Sequence, residues 1–258
     1  MATHLKHPEA DQILARFKCE RIENFYHFTS VENLPIISKH GALYSKQLLD
    51  SHGDWPCPNP GGNELSHSLD LTNDNWNKVA LNLTPHTPMA YHKKNESHLC
   101  FFVIATEVAG WEKTVFTNTN AASNDHQRGE GLSGLALINF EMVRCIMPWS
   151  QDWVKMVQAE VLIPDFIPIE FMSEVAFISE ASKNEGERLW GKFPHPNFVV
   201  NKKIFHNTPS SLDSLCGLPY VSHVLLTNTV IDKKNVNSIT SHCTCFRRQN
   251  TSTISVVI

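Results

Sequence analysis

A chain of 258 residues with 41% hydrophobic content can bury a full core, so it needs no disulfide staples. A formal net charge of −4 argues against an extended nucleic-acid footprint and leaves room for a small one. The first 18 residues carry charge without an apolar run of signal-peptide length, and later apolar stretches such as 99–105 are too short to span a bilayer, which predicts a cytoplasmic protein with no membrane partner.

Within 9–18, Ile13, Leu14 and Phe17 recur at helical spacing and predict a short amphipathic helix. Residues 24–28 read as a brief strand. Thr29 and Glu32 have the spacing of a capping box, Leu34, Ile36 and Ile37 supply an apolar helical face, and Gly41 stands where a helix ends in a left-handed residue. The stretch 51–77 is rich in Asp, Asn, Pro, Gly and Ser without periodicity and is expected to form a mobile lid.

Val79, Leu81 and Leu83 alternate with Ala80 and Asn82 as in a half-buried strand, after which Thr87 and Pro88 fit the cap and first position of a short helix bearing Met89 and Tyr91. Residues 99–105, with Phe101, Phe102 and Val103, predict a strand buried on both faces. Residues 116–128 turn polar again. From Val157 to Ile163 apolar residues alternate with Gln158, Glu160 and Leu162, which predicts a strand that packs one face and presents Glu160 on the other.

A strand over 174–178 and a polar helix over 181–190 follow, then short apolar runs at 221–226 and 254–258. Short strands and helices without regular βαβ alternation point to an α+β fold. The division expected is a main domain over 1–192 with a C-terminal extension, 193–258, packed on it.

Seven widely and irregularly spaced cysteines read as reduced thiols, and the Cys243/Cys245 pair is too tightly spaced for a zinc knuckle, so no metal is expected. Gly129, Gly131 and Gly134 spell a dinucleotide fingerprint, but polar sequence precedes them and 135–143 reads equally well as a strand. They are therefore taken as a flexible loop. Serine and cysteine nucleophile motifs are missing as well, which leaves carboxylates and histidines as the candidate chemistry. With 14 histidines in the chain, only arrangement can single one out.

Arrangement comes from a resemblance. Phe25-Tyr26-His27-Phe28-Thr29, then Asn33-Leu34-Pro35-Ile36 and His40-Gly41, resemble the opening motif of the DarT family of nucleic-acid ADP-ribosyltransferases. In the same order, Thr87-Pro88-Met89-Ala90-Tyr91 is similar to that family's Pro-Met-x-Tyr helix, Phe116-Thr117-Asn118-Thr119-Asn120-Ala121-Ala122 to its Asn-Ala-Ala loop, and Gln158-Ala159-Glu160-Val161-Leu162, followed by Pro164 and Pro168, to its catalytic strand.

The resemblance implies an ADP-ribosyltransferase fold in which two small split sheets form an NAD⁺ cleft flanked by short helices. It also implies transfer of ADP-ribose to a base of single-stranded nucleic acid, and a toxin paired with an antitoxin, often a macrodomain hydrolase, in phage defence. NAD⁺ is then a substrate.

Under this resemblance Glu160 aims a carboxylate into the cleft, binds a nicotinamide-ribose hydroxyl and stabilises the oxocarbenium character that develops as the glycosidic bond breaks. His27 holds ribose or adenosine-side hydroxyls, with Thr29 and Asn33 near enough to add hydrogen bonds, Gly41 lets the backbone approach the nicotinamide amide, and Tyr91 offers it an aromatic face.

The chain has no arginine between Glu23 and Gly110, where thymidine-modifying members carry one. Ser66-His67-Ser68-Leu69-Asp70 is closer to a guanine-modifying branch, so guanine is favoured over thymine and DNA over RNA, with His67 or Lys78 supplying the missing proton transfer. Lys78, His86 and Asn120 are assigned to the nucleic acid. Trp55, Trp76, Trp111, Phe116 and His86 are candidates for base stacking. Transfer to protein, NAD⁺ hydrolysis by water, and an inactive module that binds nucleic acid or antitoxin remain as alternatives.

Overall fold

The protein is described by a computed structural model over residues 4–61, 64–93, 99–123, 126–144 and 151–205, all within a compact unit spanning residues 1–208. The cysteine pair 243/245 and the apolar runs 221–226 and 254–258 lie outside the described residues.

Helix α1 (Ala10–Cys19) buries Ile13 and Phe17 of the expected stripe together with Ala10, and leaves Leu14 half-buried. Strand β1 (Asn24–Ser30) leads through one 3₁₀ turn into α2 (Leu34–His40), which ends on Gly41 at φ 62°. The cap is shifted by one residue from the expected box: the Ser30 hydroxyl, not Thr29, accepts from the Glu32 amide at 3.3 Å. Strand β2 (Ala42–Tyr44) and helix α3 (Lys46–Ser51) follow, the latter capped by the buried Ser45, whose hydroxyl accepts from the Leu48 amide.

The expected lid contains a helix, α4 (Glu64–Thr72). It buries none of its side chains and leaves Leu65 and Leu71 exposed, so it carries no core-facing stripe for periodicity to reveal. Strand β3 (Lys78–Asn82) then gives way to α5 (Pro88–Lys93), where the Thr87 hydroxyl accepts from the Ala90 amide at 3.3 Å as a cap should.

Strand β4 (Leu99–Ala105) is buried along nearly its whole length, and its two faces enter different cores. Cys100, Phe102 and Ile104 pack with α1, α2 and Trp190, while Leu99, Phe101 and Val103 pack with Ala90, Ile204 and Phe205. Strands β5 (Val115–Thr117) and β6 (Arg128–Glu130) pair antiparallel.

Three short helices follow β6: α6 (Gly131–Leu135), α7 (Phe140–Arg144) and α8 (Gln151–Met156). The glycine fingerprint is thus an ordered strand-to-helix turn, and 135–143 forms the end of α6, a turn and the start of α7, with no strand. A Cβ on Gly134 would stand 2.1 Å from the Gly129 carbonyl oxygen, so the glycines serve close backbone packing. The Leu132 amide at the start of α6 donates to Glu9 Oε2 at 2.8 Å, so the turn's own carboxylate neighbour occupies the position that a phosphate would need.

Strands β7 (Glu160–Pro164), β8 (Phe166–Pro168) and β9 (Met172–Phe177), helix α9 (Glu180–Trp190) and strand β10 (Asn197–Val200) complete the described chain. Val157 and Ala159 are buried in the turn after α8, and β7 begins only at Glu160.

Among the described residues the strands form an eight-stranded mixed sheet, ordered β10-β9-β4-β1-β3-β7-β5-β6, and a two-stranded sheet of β2 and β8. All neighbours in the large sheet are antiparallel except β10 and β9. This corrects the expectation of two small split sheets: four strands on each side join into one sheet through a single β1–β3 register pair, Tyr26 with Asn82. The split is a seam within one sheet.

Candidate active site

An open cleft of about 290 Å³ lies at this seam. Strands β1, β3 and β7 line it with His27, Ala80, Asn82 and Glu160. The lining also takes residues from α3, the 55–61 segment and α4.

Glu160 is 8% exposed, buried because β7 is an inner strand between β3 and β5. The expectation of a carboxylate presented on an available face is corrected to that extent: it lines the cleft, but from a buried position. Its Oε2 accepts from the Ala121 amide at 2.8 Å, and its own amide donates to the Thr117 hydroxyl at 3.1 Å. Burial pushes its carboxyl up to about 7; the Ala121 amide opposes this, Asp70 adds to it and Lys46 opposes it. A carboxyl poised there can switch between holding and accepting a proton near neutral pH.

Loop 118–122 is fixed to β7 by more than that bond. The Thr117 hydroxyl donates to the Thr119 carbonyl at 2.6 Å and the Thr119 hydroxyl to the Lys155 carbonyl at 2.8 Å. The Ala121 carbonyl accepts from the side-chain amides of Asn73 at 3.1 Å and Asn75 at 3.3 Å, which ties the loop to the end of α4.

His27 bridges the seam. Its Nδ1 lies 3.0 Å from the Ala80 carbonyl, which can only accept, so Nδ1 carries the proton and Nε2 is left as an acceptor. Burial lowers its pKa, with the Ala80 bond opposing, and the ring is neutral at pH 7.

Asn33, buried at the end of the 3₁₀ turn, donates to the Thr29 hydroxyl at 2.9 Å and to the Asn59 carbonyl at 2.8 Å, and accepts from the Asn59 amide at 3.0 Å. Its side chain therefore clamps the 55–61 segment over β1. Thr29 and Asn33 both line the cleft.

The family model described as "ssDNA thymidine ADP-ribosyltransferase, DarT" matches residues 26–206. The chain belongs to the DarT family. Among solved structures, DarT from Thermus sp. 2.9 in complex with NAD⁺ is similar with a TM-score of 0.54 at 18% identity, over 71% of this chain and 98% of that one. The same Thermus protein in complex with ADP-ribosylated ssDNA gives 0.54 at 16% identity, over 79% and 100%. Thermosipho africanus DarTG in complex with ADP-ribose gives 0.58 at 15% identity, over 71% and 51%. At such identities the likeness carries the fold alone. No curated protein matches by sequence.

The lining of the DarT cleft also contains Lys46 and Asp70, a pair that sequence reasoning passed over. Lys46, the first residue of α3, pairs with Asp70 of α4, and its Nζ sits 5.8 Å from the Trp55 ring centre and 5.5 Å from that of Trp76. Trp55 and Trp76 meet edge to face at 5.4 Å. A lysine just past a serine helix cap, with tryptophans on either side of an acidic helix, was the available signal; reading 51–77 as irregular hid it.

The remaining expected site residues divide. Asn120 lines the cleft and accepts from the Ala122 amide at 2.8 Å. Lys78 lines it too, but its Nζ donates to the Lys113 carbonyl at 3.0 Å, and burial lowers its pKa.

Gly41 ends α2, and its carbonyl accepts from the Ile169 amide at 3.1 Å; it is not part of the lining. His67 lies 5.3 Å from the Trp55 ring with Nε2 2.7 Å from the Gly61 carbonyl, behind the lining rather than in it. His86 is half-buried after β3 and also stands outside the lining. The side chain of Tyr91 lies outside the described residues.

Of the stacking candidates, Trp55 faces the cleft. Phe116 is fully buried in the core, and Trp111 stacks on His4 at 4.1 Å and meets Phe171 at 5.0 Å, so packing occupies both rings.

Proposed function

We propose that this DarT-family chain breaks the bond between nicotinamide and its ribose in NAD⁺ and transfers the ADP-ribosyl group to a base of single-stranded DNA. The buried Glu160 carboxylate, aimed into the seam and held by Ala121, carries the reading.

As the ribose C1′–N bond stretches, its electron pair leaves with nicotinamide and positive charge grows on the ribose. An anion fixed in a poorly solvated wall is worth more to that state than to bound NAD⁺. The acceptor nitrogen then bonds to C1′ and releases its proton, which the ionised Glu160 takes. The His27 Nε2 lone pair accepts from a ribose hydroxyl, with Thr29 and Asn33 beside it. Gly41 acts through the bend that it gives the chain after α2, Tyr91 supplies the nicotinamide's aromatic face, and Asn120, His86 and Lys78 serve the nucleic acid at the rim.

The family's description names thymidine, and among the described residues no feature of the cleft favours guanine, so thymine replaces guanine as the first expected acceptor. RNA is the second expected polymer. The biological role that fits is an intracellular toxin with a cognate antitoxin, such as a macrodomain hydrolase, as partner. Residues beyond 192 are proposed as an extension of the main domain; the parallel pairing of β10 with β9 bears on 197–200 alone and places that strand in the main sheet.

Labelled NAD⁺ incubated with matched single-stranded DNA and RNA oligonucleotides tests this. Label on DNA that disappears with Glu160→Ala is expected. Label that survives nuclease and vanishes with protease would move the activity to a protein acceptor, and intact NAD⁺ throughout would leave an inactive binding module.

A further inference from the structure

We infer that Lys46, held between Asp70 and the indoles of Trp55 and Trp76, receives the acceptor base by donating from its ammonium to a ring carbonyl oxygen beside the attacking nitrogen. The assignment rests on the transferase reading above and names its base-binding group.

Three observations converge on it. Lys46, Asp70 and Trp55 all line the cleft that Glu160 lines, and the charges of both Lys46 and Asp70 reach Glu160. The Lys46 ammonium has three donors, of which Asp70 takes one, so the pair fixes the ammonium in place and leaves donors for a ligand. Trp55 adds an aromatic wall beside that cation, the combination that suits a flat, polar heterocycle.

The pair is also built into the same framework as the glutamate. The Asn75 amide donates to the Asp70 carbonyl at 2.8 Å, and the Asn75 side chain donates to the Ala121 carbonyl, whose own amide holds Glu160. Base-binding and proton-accepting groups are thereby fixed to each other through few bonds. A pair that merely tied α3 to α4 would have no need to face the cleft.

In the transfer step the ring N–H of the base gives its proton to Glu160, the nitrogen pair forms the bond to C1′, and the C1′–nicotinamide pair departs with nicotinamide. While the proton leaves, negative charge spreads onto the flanking carbonyl oxygen, and a cation there stabilises it. The rule for the acceptor follows: a ring N–H with a carbonyl beside it. Thymine, uracil and guanine meet it; adenine has no carbonyl, and the corresponding cytosine nitrogen has no proton.

The test uses the full chain, labelled NAD⁺ and single-stranded oligonucleotides carrying one thymine or one guanine in an adenine background, with an adenine-only control. Lys46→Ala is expected to lower transfer to the single thymine or guanine by about 100-fold. It should raise the KM for the oligonucleotide at least tenfold more than the KM for NAD⁺, with Lys46→Arg recovering about tenfold of the loss.

Label on adenine-only oligonucleotide at the thymine rate overturns the assignment. So does a Lys46→Ala variant within threefold of wild type, or one whose two KM values rise alike without rescue by arginine, the mark of a structural role. Wild-type protein that labels no oligonucleotide overturns the transferase reading itself, and the assignment with it.

Discussion

Glu160 and Ala121 are joined by one hydrogen bond of 2.8 Å from the loop amide to the buried carboxylate, and the amide favours the ionised form that burial disfavours. Burial wins and leaves the carboxyl at about 7. Because the step needs the anion, kcat/KM for transfer is expected to rise with pH and to level off above about pH 8; a profile flat from pH 5.5 to 8.5 would contradict the assignment of Glu160 as the titrating group.

The same carboxyl makes stability depend on pH. Its folded value of about 7 exceeds its ordinary value of 4.5, so between the two the folded protein keeps a proton that the unfolded chain has lost, and stability falls as pH rises through that window. Glu160→Gln removes the titration. Its advantage over wild type should grow from near zero at pH 4 to at most on the order of 3 kcal/mol above pH 7, read from denaturant midpoints.

His27 is neutral, and its protonated Nδ1 spans the seam to Ala80, so the ring has both a tether and a free acceptor nitrogen. His27→Ala loses both and is expected to raise the KM for NAD⁺ roughly ten- to a hundredfold, the scale of one or two hydrogen bonds. Steady-state kinetics with NAD⁺ as the varied substrate checks it.

Asn33 makes three hydrogen bonds, two of them to the Asn59 backbone, and no hydrophobic residue can replace them. Asn33→Leu is expected to destabilise the fold by roughly 2 kcal/mol and to release the 55–61 segment, seen as faster amide exchange there than in β4.

Gly134 has no room for a methyl group, since a Cβ would stand 2.1 Å from the Gly129 carbonyl oxygen. Gly134→Ala should therefore cost roughly 2–4 kcal/mol in chemical denaturation, although the residue touches no substrate.

How much of this was legible in the sequence depended on what each element buries. The stripe of α1, the two-faced β4 and the Gly41 stop follow from burial and backbone chirality and could be read directly. Helix α4 could not, because it buries none of its residues fully and leaves Leu65 and Leu71 exposed. The family motifs brought out Glu160, His27, Thr29, Asn33 and Asn120, all of which line the cleft.

His67 and Lys78 were chosen because an arginine was missing, yet their ring and ammonium bind the Gly61 and Lys113 carbonyls. Lys46 escaped because its partners, Asp70 and the tryptophans, become neighbours only when α3 and α4 converge across 24 residues of chain. Local spacing has no means of announcing such a meeting.

The single register pair between β1 and β3 sets the mechanical character of the enzyme. Elsewhere in the large sheet the ladders are longer, so the sheet is most easily prised apart directly beneath its substrate. On the proposed reading, a dinucleotide held by His27 on β1 and by Glu160 on β7 acts as a rivet, since both contacts resist the same opening. At a concentration of 100 times its Kd such a ligand adds about 2.7 kcal/mol to the folded state, whatever its chemistry. On that reading the seam is expected to be stiffest when loaded, and to stay riveted after nicotinamide departs, because both anchorages hold the ADP-ribosyl part that remains.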